Sequence, residues 1–307
     1  MKILVGVMYC IENEYPRCMD SIRAQLYRNH DHFVIEKLPN KEAHDKLYKT
    51  FMERASDYDL FVKIDADMVL ARNSFFGEVV DYFRANPDVD DLQIAVSDFF
   101  TDRLTYGLHV YSSRMRWGNT DDNIFVDRRA DSVVYKRVCD PRRLAPAAFH
   151  CPDPSRYQAY HFGLHKAIKV AQYGRTRLNY NAAMNHWYNI VCMCRHYRRN
   201  LDIRLAFAVL GAYDAITKKL THENIDYGSD ATVAGFEARQ ALSDAQVHAF
   251  SRLLSYLMLV VPASLSLELI VLARSTPDGH AAAAKRMVSN LVDGRFRKYQ
   301  KKKSKSI

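Results

Sequence analysis

The sequence predicts an α/β fold with a mostly parallel sheet in its first half, followed by an all-helical second half. Apolar, partly β-branched runs alternate with helical periods through about residue 111, and from about residue 166 only helical periods remain. An alternating order of strands and helices favours parallel strands joined by helical crossovers. A chain of 307 residues suits two units, which we place at 1–166 and 167–307.

The elements of the first half follow from these patterns in chain order. Strands are expected at 3–8, 32–36, 60–64, 91–98 and 105–111. Helices are expected from Pro16, a residue that suits the first helical turn, to about 27, then at 41–55 and 74–85, where Asn86-Pro87 ends the last one. In such sheets ligands bind beyond the carboxyl ends of the strands.

The second half contains helical periods only. They lie at 179–198, 201–219, 232–258, 264–273 and 281–292. The apolar stretch 253–273 approaches the length of about 20 residues that a membrane-spanning helix needs. Pro262 and Glu268 interrupt it, so we expect two buried helices that meet at Pro262.

Charge and cysteine usage limit the class of protein. The net charge of +9 and the pI of about 9.2 favour polyanionic partners, but the sequence has no recognised nucleic-acid-reading motif. The tail 295–305 has seven cations and no acid; it fits either a solvated terminus or contact with anionic lipid. The six cysteines fit no zinc spacing and no signal peptide is evident. We therefore expect reduced thiols and a cytoplasmic protein, at most bound to the inner face of the membrane.

The most informative motif is Asp65-Ala66-Asp67. It directly follows the apolar strand 60–64 and precedes Met68-Val69-Leu70. The two-residue period of a strand would put both carboxylates on one side. Two such carboxylates can share a divalent cation, and oxygen ligands suit Mg²⁺ or Mn²⁺. A cation held there can neutralise charge on a departing diphosphate. The alternative is a solvated acidic turn.

Three segments resemble the GT-A fold nucleotide-sugar glycosyltransferases, particularly the family 2-like group. The first is the turn 12–15 and the helix with Ser21-Ile22 and Gln25, the second is the strand that ends at Glu36, and the third is 59–67. The resemblance covers most of the first hundred residues and is looser after them. It implies metal-dependent transfer of a sugar from a UDP- or GDP-sugar to a glycan, lipid or small-molecule acceptor.

The resemblance also implies how the donor is held. The end of the first strand, with Val7 and Tyr9, and Glu36 would bind the base and ribose. Asp67 would bind the metal. Asp65 would bind the ribose or the metal and its water shell.

A second motif is the run 160–166. It is similar to the His-aromatic-x-Gly-x-x-Lys run of the family 8 retaining enzymes, although it is one residue shorter. The resemblance makes His161 the third metal ligand, His165 the alternative ligand and Lys166 a phosphate contact. Lys46 could also face the diphosphate, or simply lie on a helix surface. In the competing interpretation both histidines only pack or cap a helix.

An acceptor base is required if the transfer inverts the anomeric centre. Family 2 enzymes place it after the sheet, often in a Glu-Asp pair. Asp122 is the first candidate and Asp127 the second. The Glu-Asp pair itself is absent, so inversion and retention both stay open. We assign a structural role to His150.

Two other functions remain as alternatives. A nucleotidyltransferase on a similar sheet would carry a glycine-rich, cationic loop after the first strand, where this chain has Glu12-Asn13-Glu14. A non-catalytic nucleotide-sugar-binding protein could keep the same fold, although the paired aspartates favour an enzyme.

Overall fold

The computed structural model describes residues 1–126, 135–140, 143–175 and 178–260. The chain forms two compact units, Met1–Ser155 and Arg156–Ile307. The division falls before the predicted boundary at residue 166, because the helix that begins at Arg156 packs against the helices that follow it.

The first unit contains all five predicted strands and all three predicted helices. Its strands are β1 Ile3–Tyr9, β2 His30–Glu36, β3 Leu60–Asp65, β4 Met68–Leu70, β5 Asp91–Asp98, β6 Arg103–Ser112, β7 Arg137–Asp140 and β8 Ala148–His150. Its helices are α1 Tyr15–Arg23, α2 Asn40–Glu53 and α3 Phe75–Ala85. The short strands β4, β7 and β8 were not predicted.

The sheet is mixed, because β4 and β6 run opposite to the other six strands, a reversal that the prediction of a mostly parallel sheet did not include. The strand order is β2-β1-β3-β6-β5-β8-β4, and β7 pairs with β5. Strand β6 runs antiparallel to both of its neighbours, β3 and β5. Only Phe99–Asp102 separates β5 from β6, and a parallel crossover needs a dozen or more residues. The carboxyl ends of β1, β3, β5 and β8 still point to one edge of the sheet.

The core of this unit lies on both faces of the sheet. Alternate residues of β1 and β3, such as Val5 and Val62, pack with α1 and α3. The residues between them, such as Leu4 and Phe61, pack with α2. Because both faces of these strands are covered, their sequences read as continuous apolar runs.

The second unit is helical over the described residues. Its helices are α4 Arg156–Ala171, α5 Tyr180–Asn200, α6 Ile203–Thr217, α7 Asp230–Gln240 and α8 Asp244–Val260. The predicted single helix 232–258 is divided into α7 and α8. Ser243 and Gln246 divide it, because Ser243 Oγ accepts from the Gln246 amide and the Gln246 side chain accepts from the Ser243 amide.

Several sequence predictions fall outside the described residues. They are the periods 264–273 and 281–292, Pro262, Glu268, Asp127 and the cationic tail 295–305. No described helix is both long enough and apolar enough to cross a bilayer.

Helices α4 and α6 pack with their backbones almost in contact. A Cβ built on Gly163 would lie 1.8 Å from the Ala208 carbonyl oxygen, and one built on Gly211 would lie 1.9 Å from the Tyr160 carbonyl oxygen. Beside this crossing, buried Asp214 accepts hydrogen bonds from the Tyr160 hydroxyl at 2.9 Å and Arg239 Nε at 3.0 Å. The unit therefore depends on glycine at both crossing positions.

We expect Gly211→Ala to lower the free energy of unfolding by about 1–3 kcal/mol, because overpacking outweighs the gain in helix propensity of at most about 1 kcal/mol. Urea unfolding followed by circular dichroism measures the change. Gly228→Ala is the control, since a Cβ there meets no atom within 4 Å. Equal effects of the two substitutions would contradict the close backbone contact.

Candidate functional site

The turn between β3 and β4 places Asp67 beside the end of strand β8. Strand β3 ends at Asp65, and Ala66 and Asp67 form a turn. Strand β4 then pairs antiparallel with β8, where Met68 lies opposite His150. The Cys151 amide donates to the Asp67 carbonyl at 2.8 Å. This register places Asp67 beside His150 and Cys151.

Ser21 on α1 and Gln25, two residues beyond its end, anchor the chain that follows Asp67. Ser21 Oγ accepts from the Leu70 amide at 3.1 Å. Gln25 donates to the Arg72 carbonyl at 2.9 Å and accepts from the Phe76 amide at 3.0 Å. The Ser-Ile-x-x-Gln run therefore satisfies one backbone group of β4 and two in the segment that follows it.

Three side chains at the sheet edge form a candidate metal group. Asp67 Oδ2 lies 3.3 Å from His150 Nε2 and 3.2 Å from Cys151 Sγ, and the latter two atoms are 3.7 Å apart. One ligand atom from each residue lies within 4.8 Å of the others. Ligands at about 2.0–2.3 Å from a tetrahedral metal are about 3.3–3.8 Å apart. The spacing therefore fits a divalent metal with one oxygen, one nitrogen and one sulfur ligand.

Asp98 fixes the orientation of the His150 ring. Its Oδ1 lies 2.6 Å from His150 Nδ1, and its Oδ2 accepts from the Thr101 amide at 2.8 Å. Asp98 is buried at the end of β5. With Nδ1 held by this carboxylate, Nε2 faces Asp67, which is the arrangement that metal-binding histidines commonly have.

The protonation of the group follows from its charges. Burial works against the charged form of His150, but the Asp67 and Asp98 carboxylates outweigh it and raise the His150 pKa well above its usual value. Burial and the nearby Asp67 carboxylate raise the Cys151 pKa well above that of an ordinary thiol. Without metal, the geometry is an imidazolium between two carboxylates with a protonated thiol. A metal would displace both protons. An ion-pair cluster without metal is the competing interpretation.

The backbone at Cys151 has an unusual conformation. Its φ is +49°, in the left-handed region that non-glycine residues other than Asn, Asp and His seldom occupy. Strain of this kind collects at functional sites. Here it accompanies a buried thiol directed at Asp67 Oδ2.

Glu12 adds a further carboxyl group at this edge. Its Oε2 accepts from the Cys10 amide at 2.7 Å and the Ile11 amide at 3.1 Å. Burial and the charge of Asp67 raise the Glu12 pKa to about 7. Glu12 therefore changes charge near neutral pH, as groups at functional sites often do.

Asp65 has a different partner from Asp67. The buried Lys63 ammonium lies 3.2 Å from Asp65 Oδ1. The alternation of a strand applies only up to Asp65, because Asp67 already belongs to the turn. Among the described residues, Asp67 is grouped with His150 and Cys151, and Asp65 is not part of that group.

The residues predicted to hold the base and ribose lie at the ends of β1 and β2. The Val7 side chain is fully buried in the core, so only its backbone could contribute. The Tyr9 ring stacks on Tyr15 with centroids 4.0 Å apart. Glu36 is exposed at the end of β2, opposite Tyr9. The predicted phosphate contact Lys46 is exposed on α2.

The predicted residues of the 160–166 run lie on α4 in the second unit. His161 Nε2 is 2.8 Å from the Ile225 carbonyl oxygen, and its ring stacks on Tyr227. His165 Nε2 is buried without a hydrogen-bond partner among the described residues, and burial lowers the His165 pKa. Lys166 Nζ lies 4.8 Å from the centroid of the Phe162 ring. A role of these residues in metal or phosphate binding stays a prediction.

The structure describes one of the two predicted acceptor bases, Asp122. Asp122 Oδ1 accepts from the Ile124 amide at 3.0 Å and the Phe125 amide at 3.2 Å, so it stabilises its own loop. Asp127 lies outside the described residues.

Sequence reasoning did not place His150 and Cys151 beside Asp67. His150 was assigned a structural role, but its ring adjoins Asp67, 83 positions earlier in the numbering and brought near by the β4–β8 pairing. The available signal was the short apolar run Ala147-Ala148-Phe149 directly before His150-Cys151, which could have been read as a strand that ends in two potential ligands.

Addition of Co²⁺ should produce a thiolate-to-metal charge-transfer absorption band, because Cys151 would enter the metal's ligand shell. Cys151→Ser should remove the band and weaken Co²⁺ and Zn²⁺ binding by about tenfold or more, while Mn²⁺ binding changes less. Cys139→Ser, which alters an exposed thiol on β7, should leave the band intact. A band that persists in Cys151→Ser would argue against the group.

Glu12 should make stability fall as pH rises. The folded state keeps the Glu12 proton up to a pKa of about 7, whereas the usual pKa of an exposed Glu is 4.5. Between these values the folded state binds more protons, so the free energy of unfolding decreases with rising pH. Glu12→Gln should flatten this part of the profile and be more stable than the native chain at pH 8. Urea unfolding at several pH values measures the free energy of unfolding of both chains. Glu53→Gln, which alters an exposed carboxylate, is the control. If the pH profiles of Glu12→Gln and the native chain run parallel, the raised pKa of Glu12 is refuted.

Comparisons with known proteins give little further information. No protein-family model and no curated protein matches this chain. Among solved structures, the chain is similar to A197 from STIV, with 13% identity, 43% of this chain and 70% of that chain covered, and a TM-score of 0.30. A similarity at that TM-score supports no inference about this protein.

Proposed function

We propose that this protein is a metal-dependent glycosyltransferase that moves a sugar from a UDP- or GDP-sugar to an acceptor. The observation that carries the proposal is the grouping of Asp67, His150 and Cys151 at the edge of the sheet where four strands point their carboxyl ends. Open α/β sheets bind ligands at this edge.

The nucleotide half of the donor has a matching surface at the neighbouring strand ends. The stacked rings of Tyr9 and Tyr15 offer an aromatic face for a base. Glu36, opposite Tyr9 in the β1–β2 register, offers a carboxylate for ribose hydroxyls. These residues keep the roles that the sequence predicts for the end of the first strand and for Glu36.

The ligand atoms of the Asp67, His150 and Cys151 group indicate which metals it suits. The predicted Mn²⁺ and Mg²⁺ prefer oxygen ligands, whereas a thiol and an imidazole suit Zn²⁺ or Co²⁺ better. When bound, a divalent ion would neutralise charge on the diphosphate leaving group. Asp67 and His150 would hold it, and Asp98 would keep the imidazole oriented. The negative charge of Asp65 is already balanced by Lys63, whose Nζ lies 3.2 Å and 3.4 Å from the two carboxylate oxygens. Asp65 would therefore accept a ribose hydroxyl or a metal-bound water through the remaining lone pairs of these oxygens.

Fewer contacts support the proposed acceptor site than the proposed donor site. Asp122 stays a candidate base through Oδ2, because Oδ1 serves the backbone of its loop. The acceptor is a glycan, a lipid or a small molecule. Inversion and retention stay open.

The alternatives are disfavoured for different reasons. A nucleotidyltransferase needs cations in the loop after β1, and this loop instead folds the Glu12 carboxylate onto its own backbone amides. A non-catalytic nucleotide-sugar-binding protein would bind the donor without turnover, so product formation separates it from the enzyme.

Binding of UDP and GDP should require a divalent metal and should weaken about 100-fold or more in Asp67→Asn, since even outer partners of a metal ligand change affinity by 10–100-fold. Calorimetry with Mn²⁺, Zn²⁺ or Co²⁺ present measures this. Asp81→Asn removes an exposed carboxylate on α3 and is the control.

Product analysis with a panel of nucleotide-sugars then tests catalysis. Release of UDP or GDP that Asp67→Asn abolishes would support the enzyme. Metal-independent nucleotide binding, unchanged in Asp67→Asn, would refute the proposal.

A further inference from the structure

Helix α8 buries small polar side chains beside apolar ones. Its fully buried side chains are Val247, Ser251 and Ser255, spaced four residues apart. Ser251 Oγ donates to the Ala206 carbonyl at 2.9 Å. Leu254 and Met258 are half-buried, and Met258 Sδ lies 3.6 Å from Cys194 Sγ on α5.

Five large apolar side chains of α8 lie on the outside. They are 47–58% exposed and form a continuous row, which we call the outer stripe: Phe250, Leu253, Tyr256, Leu257 and Val260. Single exposed apolar residues are common, but a contiguous patch marks an interaction site.

Arginines border the outer stripe. The end of α5 runs beside α8, because the Tyr197 hydroxyl is 3.1 Å from the His248 carbonyl oxygen. Arg198 lies 5.8 Å from the centroid of the Tyr256 ring and donates to the Arg252 carbonyl. Arg195, Arg198, Arg199 and Arg252 are all exposed. Neither 180–200 nor 245–260 contains an aspartate or glutamate.

We propose that the outer stripe and its bordering arginines dock onto an anionic lipid surface. Apolar side chains flanked by cations match the boundary between acyl chains and anionic headgroups. Tyr256, which is amphipathic, suits the same depth. A second copy packed stripe to stripe would bring its own arginines to the same border, where like charges repel.

The sequence after α8 continues the same chemistry. Residues 261–273 are mainly apolar, and 295–305 has seven cations and no acid. These residues lie outside the described part of the chain, so the docking surface is argued from α5 and α8 alone. The proposal stands independently of the glycosyltransferase proposal.

Flotation of the full chain with vesicles tests the docking surface. We expect binding to vesicles of phosphatidylcholine with phosphatidylglycerol, weaker binding at high salt, and weaker binding to phosphatidylcholine alone. Leu253→Gln with Leu257→Gln should lower the partition coefficient about tenfold, because two apolar side chains leave the interface. Leu26→Gln with Leu104→Gln is the control, since both leucines are exposed in the first unit.

The charge contribution is tested separately. Arg195→Gln with Arg198→Gln should lower binding to anionic vesicles and leave the weak binding to phosphatidylcholine unchanged. Far-ultraviolet circular dichroism and thermal unfolding confirm that each variant is folded, which is expected for the α5, α8 and first-unit substitutions because those residues are exposed.

Three outcomes would overturn the proposal. The stripe variant could bind as well as the native chain. Lys301→Gln with Lys302→Gln and Lys303→Gln could abolish binding that the stripe variant leaves intact, which would assign docking to the tail alone. The native chain could fail to bind vesicles and elute as a dimer, while the stripe variant elutes as a monomer. That result would make a second copy of the chain the occupant of the outer stripe.

Discussion

The pairing of β4 with β8 is the interaction on which the site depends. Strand β4 has only three residues, and so short a strand cannot persist without partners for its backbone groups. Its ladder with β8 supplies one set of partners. Ser21 on α1 supplies another by accepting from the Leu70 amide, and Gln25, just beyond α1, holds the segment after β4 through Arg72 and Phe76. Arg72 then ties the following segment to the Leu144 and Pro146 carbonyls, so residues distant in sequence meet around Asp67.

Repulsion between carboxylates also acts at this edge of the sheet. Carboxylates from β3 and β5, from the turn at Asp67 and from the loop after β1 converge there. Two cations compensate for them within the described residues: the buried Lys63 ammonium at Asp65 and the His150 imidazolium between Asp67 and Asp98. Glu12 responds differently, by holding its proton to a pKa of about 7. A bound cation would relieve this repulsion more completely than protons do, because it carries two charges.

Local patterns predicted the main strands and helices, but they did not predict long-range pairing. Continuous apolar runs identified β1 and β3, because both of their faces are buried. The reversal at β6 was missed, since direction depends on the short link Phe99–Asp102 and not on the strand's own pattern. Asp67 was identified from its strand context. Its neighbours His150 and Cys151 were not, because only the register of β4 with β8 brings them together.

The left-handed backbone of Cys151 lowers local stability, whereas its thiol supplies a candidate metal ligand. Glycine or asparagine would adopt a φ of +49° at lower cost, yet neither supplies a sulfur atom. Substitutions that relax the turn would therefore remove a candidate ligand. A screen that selects only for thermostability would drift toward such replacements and erase the site while improving the fold, which is the usual direction of the trade-off between stability and activity.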